Sequence, residues 1–413
     1  MEFVLFEDSS STEVFLPLSY TRPIAHFQLG IFTLFQKWEL LLRKNPTLWL
    51  CDYRAALFSE FIANKQPTLF INSQVLPTKE LVDWLVYKLP KEGAVFSQNN
   101  KLLLFCKVQS AEGIKTWQDL YQVAIEQPPI SLPFSIVLLE SLPQLFLWNG
   151  KSIQEDFILW KLNAPDTQPL QDKYTKIYAQ ENIWIGKNAQ IWDATLNATK
   201  GPIYIGENVC IQEGAIIQGP VAILENAIIS PRAIIRSETT IGAFCKVGGE
   251  VSNVNMHSYS NKSHDGFLGN AVIGSWCNLG AGTNCSNLKN NYSTVKLFYY
   301  PQRTYVPTAL QFCGVIMGDH SKTSINTMLN TGTVVGIFAN IFGAGFPPKW
   351  IPSFSWGGSA GFEDFDLAQA IEMARRMMQR RSLIPDSRYI ELIHTLWNHT
   401  QWERAMNAKT AKP

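Results

Sequence analysis

The chain has 413 residues, of which 46% are hydrophobic and 17% charged, with a formal net charge of +1. That length allows two or three separately packed domains, and the balance excludes a disordered chain. A near-zero charge without runs of Lys and Arg gives no pull toward nucleic acid or an anionic membrane, so neither partner is expected.

The opening, Met1 to Asp8, has no basic segment ahead of a sustained apolar one. No stretch reaches the roughly 18 apolar residues of a membrane span, which predicts a cytoplasmic protein with no membrane span. The run Phe3-Val4-Leu5-Phe6 predicts a strand, while Ile31, Leu34, Phe35, Trp38, Leu41 and Leu42 recur at helical spacing. With Leu48-Trp49-Leu50 following, the alternation predicts an α/β sheet domain over residues 1–165. Residues 163–173 are polar, carry two prolines and lack apolar periodicity, so a linker is placed at 166–177.

Beyond the linker the period becomes six. Ile205, Ile211, Ile217, Ile223, Ile229, Ile235, Ile241 and Val247 follow one another without a miss. Chance gives eight such hits with a probability on the order of 10⁻⁵ if a suitable residue falls roughly one time in four. A second row, Val209, Ala215, Val221, Ala227, Ala233, Thr239 and Cys245, is small or β-branched throughout. Each six residues then form one short strand and its corner, and three repeats complete a triangular coil of a parallel β-helix, here over 178–350. The register resumes at Phe267, Ile273, Leu279 and Cys285, and again at Met317, Thr323, Leu329, Val335 and Ile341, with Thr323 a weak member. The two interruptions, about 249–266 and 286–316, are expected to leave the helix at a corner as loops that build a site. In the tail, 351–413, Leu367, Ile371, Ala374 and Met378 share one helical face, which predicts a helical cap over the open end.

Seven cysteines stand at 51, 106, 210, 245, 277, 285 and 313 with no C-x-x-C pair, which fits neither a disulfide framework nor a zinc site. They read as reduced, small apolar fillers. Of six histidines, His257 and His264 fall in the first interruption. An imidazole with a pKa near 6.5 can take the proton of an amine or hydroxyl as that group attacks a thioester, with Asp265 positioned to orient His264. A surface hydrogen bond is the plainer role for either ring.

The stretch Lys262-Ser-His264-Asp-Gly-Phe267-Leu-Gly-Asn270, then Ile273-Gly274 and Asn278-Leu-Gly-Ala281-Gly-Thr-Asn-Cys285-Ser-Asn287, resembles the bifunctional N-acetylglucosamine-1-phosphate uridylyltransferase/glucosamine-1-phosphate acetyltransferases. The resemblance covers nearly the whole chain and is nearest to a subgroup with a shortened sugar-nucleotidyltransferase-like first domain. It implies a Rossmann-type sheet first, a left-handed β-helix next and a C-terminal helical tail. It also implies His264 as the acetyl-transfer base, Phe267 where the family has a substrate-contacting Tyr, and Asn278 on the amino sugar. Ala281 and Asn287 would lie near an acetyl-coenzyme A or other acyl-coenzyme A co-substrate. The family's phosphate-gripping Arg and Lys align with Ser230 and Gly248, so Lys262, Arg232, Arg236 and Lys246 are the basic residues left to replace them, with Lys262 the chosen substrate contact.

In the first domain, Leu16-Pro-Leu-Ser-Tyr-Thr-Arg22-Pro23 resembles the end of a nucleotidyltransferase signature, which makes Arg22 and Lys37 weak phosphate contacts. Arg22 reads equally as a salt-bridge partner and Lys37 as a solvated helix residue. Glu7 and Asp8 stand where a Gly-rich loop would cradle phosphates and are expected to repel a triphosphate. Asn72-Ser73-Gln74 offers Mg²⁺ only neutral oxygens where the family has an Asp, so Mg²⁺ enters only if this domain is active and its ligands are unknown. The first reading is thus an acyltransferase acting on an amino sugar or nucleotide sugar of cell-envelope type, working as a homotrimer. The alternatives are nucleotide transfer to a sugar 1-phosphate, and a non-catalytic sugar-nucleotide sensor or scaffold.

Overall fold

The computed structural model describes residues 1–8, 12–62, 65–89, 93–96, 101–107, 113–162 and 166–410. The chain forms two compact units, Met1–Phe15 with Thr21–Phe27 and Phe32–Glu140, and Leu16–Tyr20 with Gln28–Ile31 and everything from Ser141 on.

The first unit is the predicted α/β domain. Strands β1 (Glu2–Phe6), β2 (Thr47–Trp49), β3 (Thr68–Asn72), β4 (Gly93–Phe96) and β5 (Leu102–Lys107) make one sheet in the order β2-β1-β3-β5-β4. β2, β1 and β3 are parallel, β5 pairs antiparallel with β3, and β4 pairs antiparallel with β5. The unbroken apolar run of β1 suits a strand covered on both faces. Phe3 and Leu5 join Trp38 and Leu42 of α1 (Leu34–Leu42) and Leu81 and Leu85 of α2 (Lys79–Tyr87). Val4 and Phe6 turn the other way, toward Leu120 and Ala124 of α3 (Trp117–Ile125). Thr33 starts α1 with a capping box shared with Gln36.

The second unit is the β-helix. Its strands fall into three parallel ladders, one per face. The first face stacks Ile203–Ile205, Val221–Ile223 and Thr239–Ile241; the second stacks Cys210–Ile211, Ile228–Ile229 and Lys246–Val247; the third stacks Ile216–Gln218 and Ile234–Ile235. Both interior rows lie where the period of six placed them: Ile205 through Val247 and Val209 through Cys245 are 0% exposed. Thr323 also points inward, and it is satisfied there, its Oγ1 lying 2.8 Å from that of Thr283 and accepting the Gly280 N–H at 3.0 Å. Burying each of these aliphatic chains contributes about 1.5–3 kcal/mol, which is why the register tolerates so few polar members.

The two interruptions behave differently. Residues 286–314 leave the coil, which resumes at Val315 and Ile316, and Lys296–Tyr299 pairs antiparallel with Thr304–Pro307 as a hairpin. Residues 249–266 do not leave it, contrary to expectation. Glu250–Met256 is a strand that pairs with Ile234–Ile235 on the third face and with Thr240–Ile241 on the first, and Asn261–Lys262 continues the second. The reason is a shortened coil: Ile223 stacks on Ile241 18 residues later, but Ile241 stacks on Met256 after only 15. Two of the three residues are dropped ahead of Val251, which stacks on Ile235 16 residues earlier, and the third at the corner of Asn253, whose φ of 53° is a left-handed conformation that Asn accepts more easily than most residues. A strict period of six loses its phase at such a step.

The helix before the predicted linker, α4 (Asn149–Lys161), packs on the β-helix wall, with Trp160 edge-on to Trp184 at 5.1 Å and the Asn149 amide donating to the Glu238 carbonyl at 2.9 Å. Within the linker, Gln168 donates to the Ile185 carbonyl at 2.8 Å, so this polar segment lies on the first coil. Residues 163–165 fall outside the described residues.

One corner of the β-helix carries a column of rings: Phe244, Tyr259, Trp276, His320, Phe338 and Phe354, all at positive φ. Neighbouring rings are nearly parallel with centroids 4.9, 4.2, 6.1, 4.4 and 4.9 Å apart. The strand spacing of about 4.8 Å sets that repeat, because equivalent residues of successive coils stand one above another. The tail forms α5 (Leu367–Gln379), α6 (Ser387–His399) and α7 (Gln401–Thr410). Tyr389 of α6 meets His320 with its hydroxyl 2.7 Å from Nε2, and Trp397 packs edge-on to Phe354 at 5.2 Å. The predicted cap therefore docks along this ring column as well as at the last coil.

Glu403 of α7 fixes the cap. Its buried carboxylate accepts from the Tyr20 hydroxyl at 2.5 Å and from the Ser353 N–H at 2.7 Å. Burial pushes its pKa up to about 7. A carboxyl raised in the fold adds stability that is complete below its unfolded value near 4.5 and is lost as pH rises through 7, up to about 3 kcal/mol between the limits. Thermal melting at pH 6 and pH 8 is expected to show a lower midpoint at pH 8. Glu403→Gln should remove most of that difference, and an unchanged difference would contradict the assignment. Among the described residues no helix is long and apolar enough to cross a membrane.

Candidate functional site

In the first unit the C-terminal ends of β1 and β3 bring Glu7, Asp8 and Asn72 together. Glu7 is held by the guanidinium of Arg54, Nη2 to Oε2 at 2.8 Å, and accepts the backbone N–H of Ile24. Arg54 is 1% exposed and also grips Asp52 and the carbonyl of Arg22, the last at 3.0 Å. Burial outweighs this partner and raises the Glu7 pKa. Arg54 thus faces the carboxylate of Glu7, one of the two acids expected to repel a triphosphate. Sequence reading had passed over Arg54, which no motif marks. Arg54→Met is expected to cost the first unit about 3–5 kcal/mol in urea unfolding, since it strands Glu7 inside; a loss under about 1 kcal/mol would show the pair is dispensable.

Asn72 spends its amide internally: Nδ2 donates to the Leu102 carbonyl at 3.1 Å and to Asp8 at 3.4 Å, while Oδ1 accepts the Gln74 N–H at 3.0 Å. Among the described residues no three His, Cys, Asp or Glu side chains group as metal ligands. With Glu7 tied to Arg54 and Asn72 committed, the described residues here do not fit a Mg²⁺ site. Lys37 is 7% exposed, so it is not the solvated helix residue of the plainer reading, and Arg22 is half-buried.

In the β-helix, the predicted residues gather around the corner between the second and third faces. His264 and Asp265 are exposed at this corner, between strand Asn261–Lys262 and strand Phe267–Ile273. One coil further, Gly282 donates to the Asp265 carbonyl at 3.1 Å, which sets Ala281 directly above. Phe267 opens the third face and donates its N–H to the Asn284 Oδ1 at 2.8 Å. Its ring lies over Gly269, where a Cβ would come within 2.5 Å of the Phe267 Cζ and 2.8 Å of the Asn287 Nδ2. Gly269 thus lets the Phe267 ring and the Asn287 amide meet, and that amide also donates to Asn270 Oδ1 at 2.7 Å. Asn278 is exposed on the second face, paired in register with Asn261.

Two placements differ from expectation. His257 is 3% exposed, with Nε2 accepting the Gln28 N–H at 3.2 Å, so it is a core histidine and not a second candidate base. Lys262 points into the helix: it aligns with Val247 in the interior row and is 1% exposed. Its ammonium therefore does not stand among the outward groups. Of the other basic residues, Arg236 pairs with Glu250 at 3.2 Å. Among the described cysteines, Cys245, Cys277, Cys285 and Cys313 are buried and free, as fillers would be, whereas Cys51 is exposed.

Residues 3–164 match the family model described as sugar nucleotidyl transferase. A bifunctional sugar-1-phosphate nucleotidylyltransferase/acetyltransferase from Sulfurisphaera tokodaii is 33% identical over 145 residues, 35% of this chain and 36% of that protein. The matched stretch thus spans about a third of the relative's length. Among solved structures, the UDP-N-acetylglucosamine acyltransferase of Francisella novicida is 15% identical, covering 52% of this chain and 71% of that one with a TM-score of 0.26. That of Campylobacter jejuni is 14% identical, covering 57% and 86% with a TM-score of 0.23. At such scores these likenesses carry no argument, and the β-helix rests on its own strand register. The two sequence matches agree with the resemblance drawn from the motifs: over residues 3–164 this chain is similar to the sugar nucleotidyl transferases.

Proposed function

We propose that the β-helix transfers an acyl group from acetyl-coenzyme A or another acyl-coenzyme A to an amino sugar or nucleotide sugar, with His264 as general base. The observation that carries this reading is the exposed His264 corner, with Ala281 one coil above and Phe267, Gly269 and Asn287 forming a strip across the adjoining face. In the reaction the acceptor nitrogen or oxygen attacks the thioester carbonyl and its proton passes to the imidazole. The C–S bond then breaks and the coenzyme A thiolate leaves. Asn278 would orient the acceptor from the second face, and Ala281 and Asn287 would border the thioester. A homotrimer and a cytoplasmic location go with this reading. The outward Ile216 and Ile234 of the third face, 37% and 36% exposed, are apolar surface that a second copy would cover.

Nucleotide transfer by the first unit is the second reading, favoured by the family match to residues 3–164. The two separate by product. Thiol release from acetyl-coenzyme A across a panel of amino sugars, sugar phosphates and nucleotide sugars supports acyl transfer. Pyrophosphate release from nucleoside triphosphate and a sugar 1-phosphate, with no thiol release and no acetyl-coenzyme A binding, would replace it.

A further inference from the structure

Lys262 occupies an interior-row position between Val247 below and Leu279 above, in a row whose other polar member is the uncharged Thr323. A buried ammonium is costly, and one without a paired carboxylate inside an apolar coil is uncommon. Here the cost is offset by two carbonyls. The Nζ donates to Gly248 at 3.0 Å and to His264 at 2.9 Å, which belong to successive coils at the same corner. Room for the ammonium comes from Gly249, at φ 69°, where a Cβ would sit 2.8 Å from Nζ. Burial holds the Lys262 pKa down to about 8, opposed by the charge of Asp265.

An apolar residue here would take this donor from the buried Gly248 carbonyl and the part-buried His264 carbonyl, yet buried charges are commonly no better for stability than well-packed apolar replacements. What the ammonium adds is a fixed backbone at one exposed residue, gripped from inside. We infer that Lys262 is a positioning residue, which fastens the His264 carbonyl to the coil below so that the imidazole is presented in one orientation. This rests on the reading of His264 as the base, since a tether on an idle side chain would have no consequence for turnover. It also accounts for the missing phosphate grip: a lysine does reach the Gly248 position, but from the interior and for a different purpose.

The test compares Lys262→Met, Lys262→Gln and His264→Ala in the full chain, by amide hydrogen exchange and by coenzyme A thiol release. Lys262→Met keeps the length of the side chain and removes its donors. It should speed exchange about 10-fold or more in residues 263–267 while the other coils keep their protection. The kcat should fall about 10-fold with KM for both substrates within about twofold, the mark of a lost transition-state arrangement. Lys262→Gln, which retains an N–H donor, should recover part of both effects. If His264→Ala abolishes turnover while Lys262→Met changes neither kcat nor local exchange, the positioning role is wrong and the base stands. If His264→Ala leaves turnover intact, the base reading is wrong and the positioning role falls with it. A rise in exchange spread evenly over the coils marks a merely structural lysine and overturns the inference, and where no acceptor turns over, local against even exchange decides.

Discussion

Replacing Ile229 with Asp is expected to abolish cooperative folding of the β-helix near neutral pH. Ile229 is 0% exposed and lies in the second-face ladder between Ile211 and Val247. An ionised carboxylate there has no partner within the coil, and an isolated buried charge costs far more than the 5–15 kcal/mol that holds a typical domain together. The neighbouring coils would part to hydrate it, and because each coil depends on its neighbours the opening spreads. Ile229→Val, which removes one methylene, should cost only about 0.5–1.5 kcal/mol. Urea unfolding followed by circular dichroism compares them. An Asp variant that unfolds with the wild-type midpoint would mean that this row does not face the interior.

The β-helix was legible because its signal repeats: eight aliphatic residues at a fixed step specify an inward row, and each of them is buried. The continuous strand through Asn253 was not, since one coil drops three residues over two successive corners and the phase of the pattern is lost there. Periodicity reports the average coil, and a coil of 15 residues looks the same in sequence as a loop. The ring column is similar. Its members recur at irregular intervals, so only the stacked coils reveal that Phe244, Tyr259 and Trp276 share one corner.

The candidate site was legible through a family motif and only in part through the residues themselves. His264, Phe267 and Ala281 do come to one corner, and Asn287 reaches the Phe267 ring over Gly269. The inward turn of Lys262 was hidden because a lysine in a polar stretch reads as solvated, and nothing local says that two carbonyls await it. His257 was misjudged for the converse reason: its segment looked like a loop, while the fold gives it a buried place in the strand ladder. In the first unit, Glu7 is answered by Arg54 from 47 residues away, a pairing that only the sheet order brings about.

In the proposed reaction His264 takes the acceptor's proton. An alanine there removes the only imidazole that the described coils present at this corner, while the backbone that His264 offers to Lys262 and its exposure to solvent are kept. General-base assistance typically contributes 10²–10⁴-fold, so turnover in His264→Ala should fall by about 10²-fold or more, with acetyl-coenzyme A binding unchanged. The measurement is coenzyme A thiol release by the wild-type and His264→Ala proteins on the acceptor that the wild type uses best. A loss in kcat of that size with intact binding is the predicted result; equal turnover by the two proteins would contradict it and remove His264 from the chemistry.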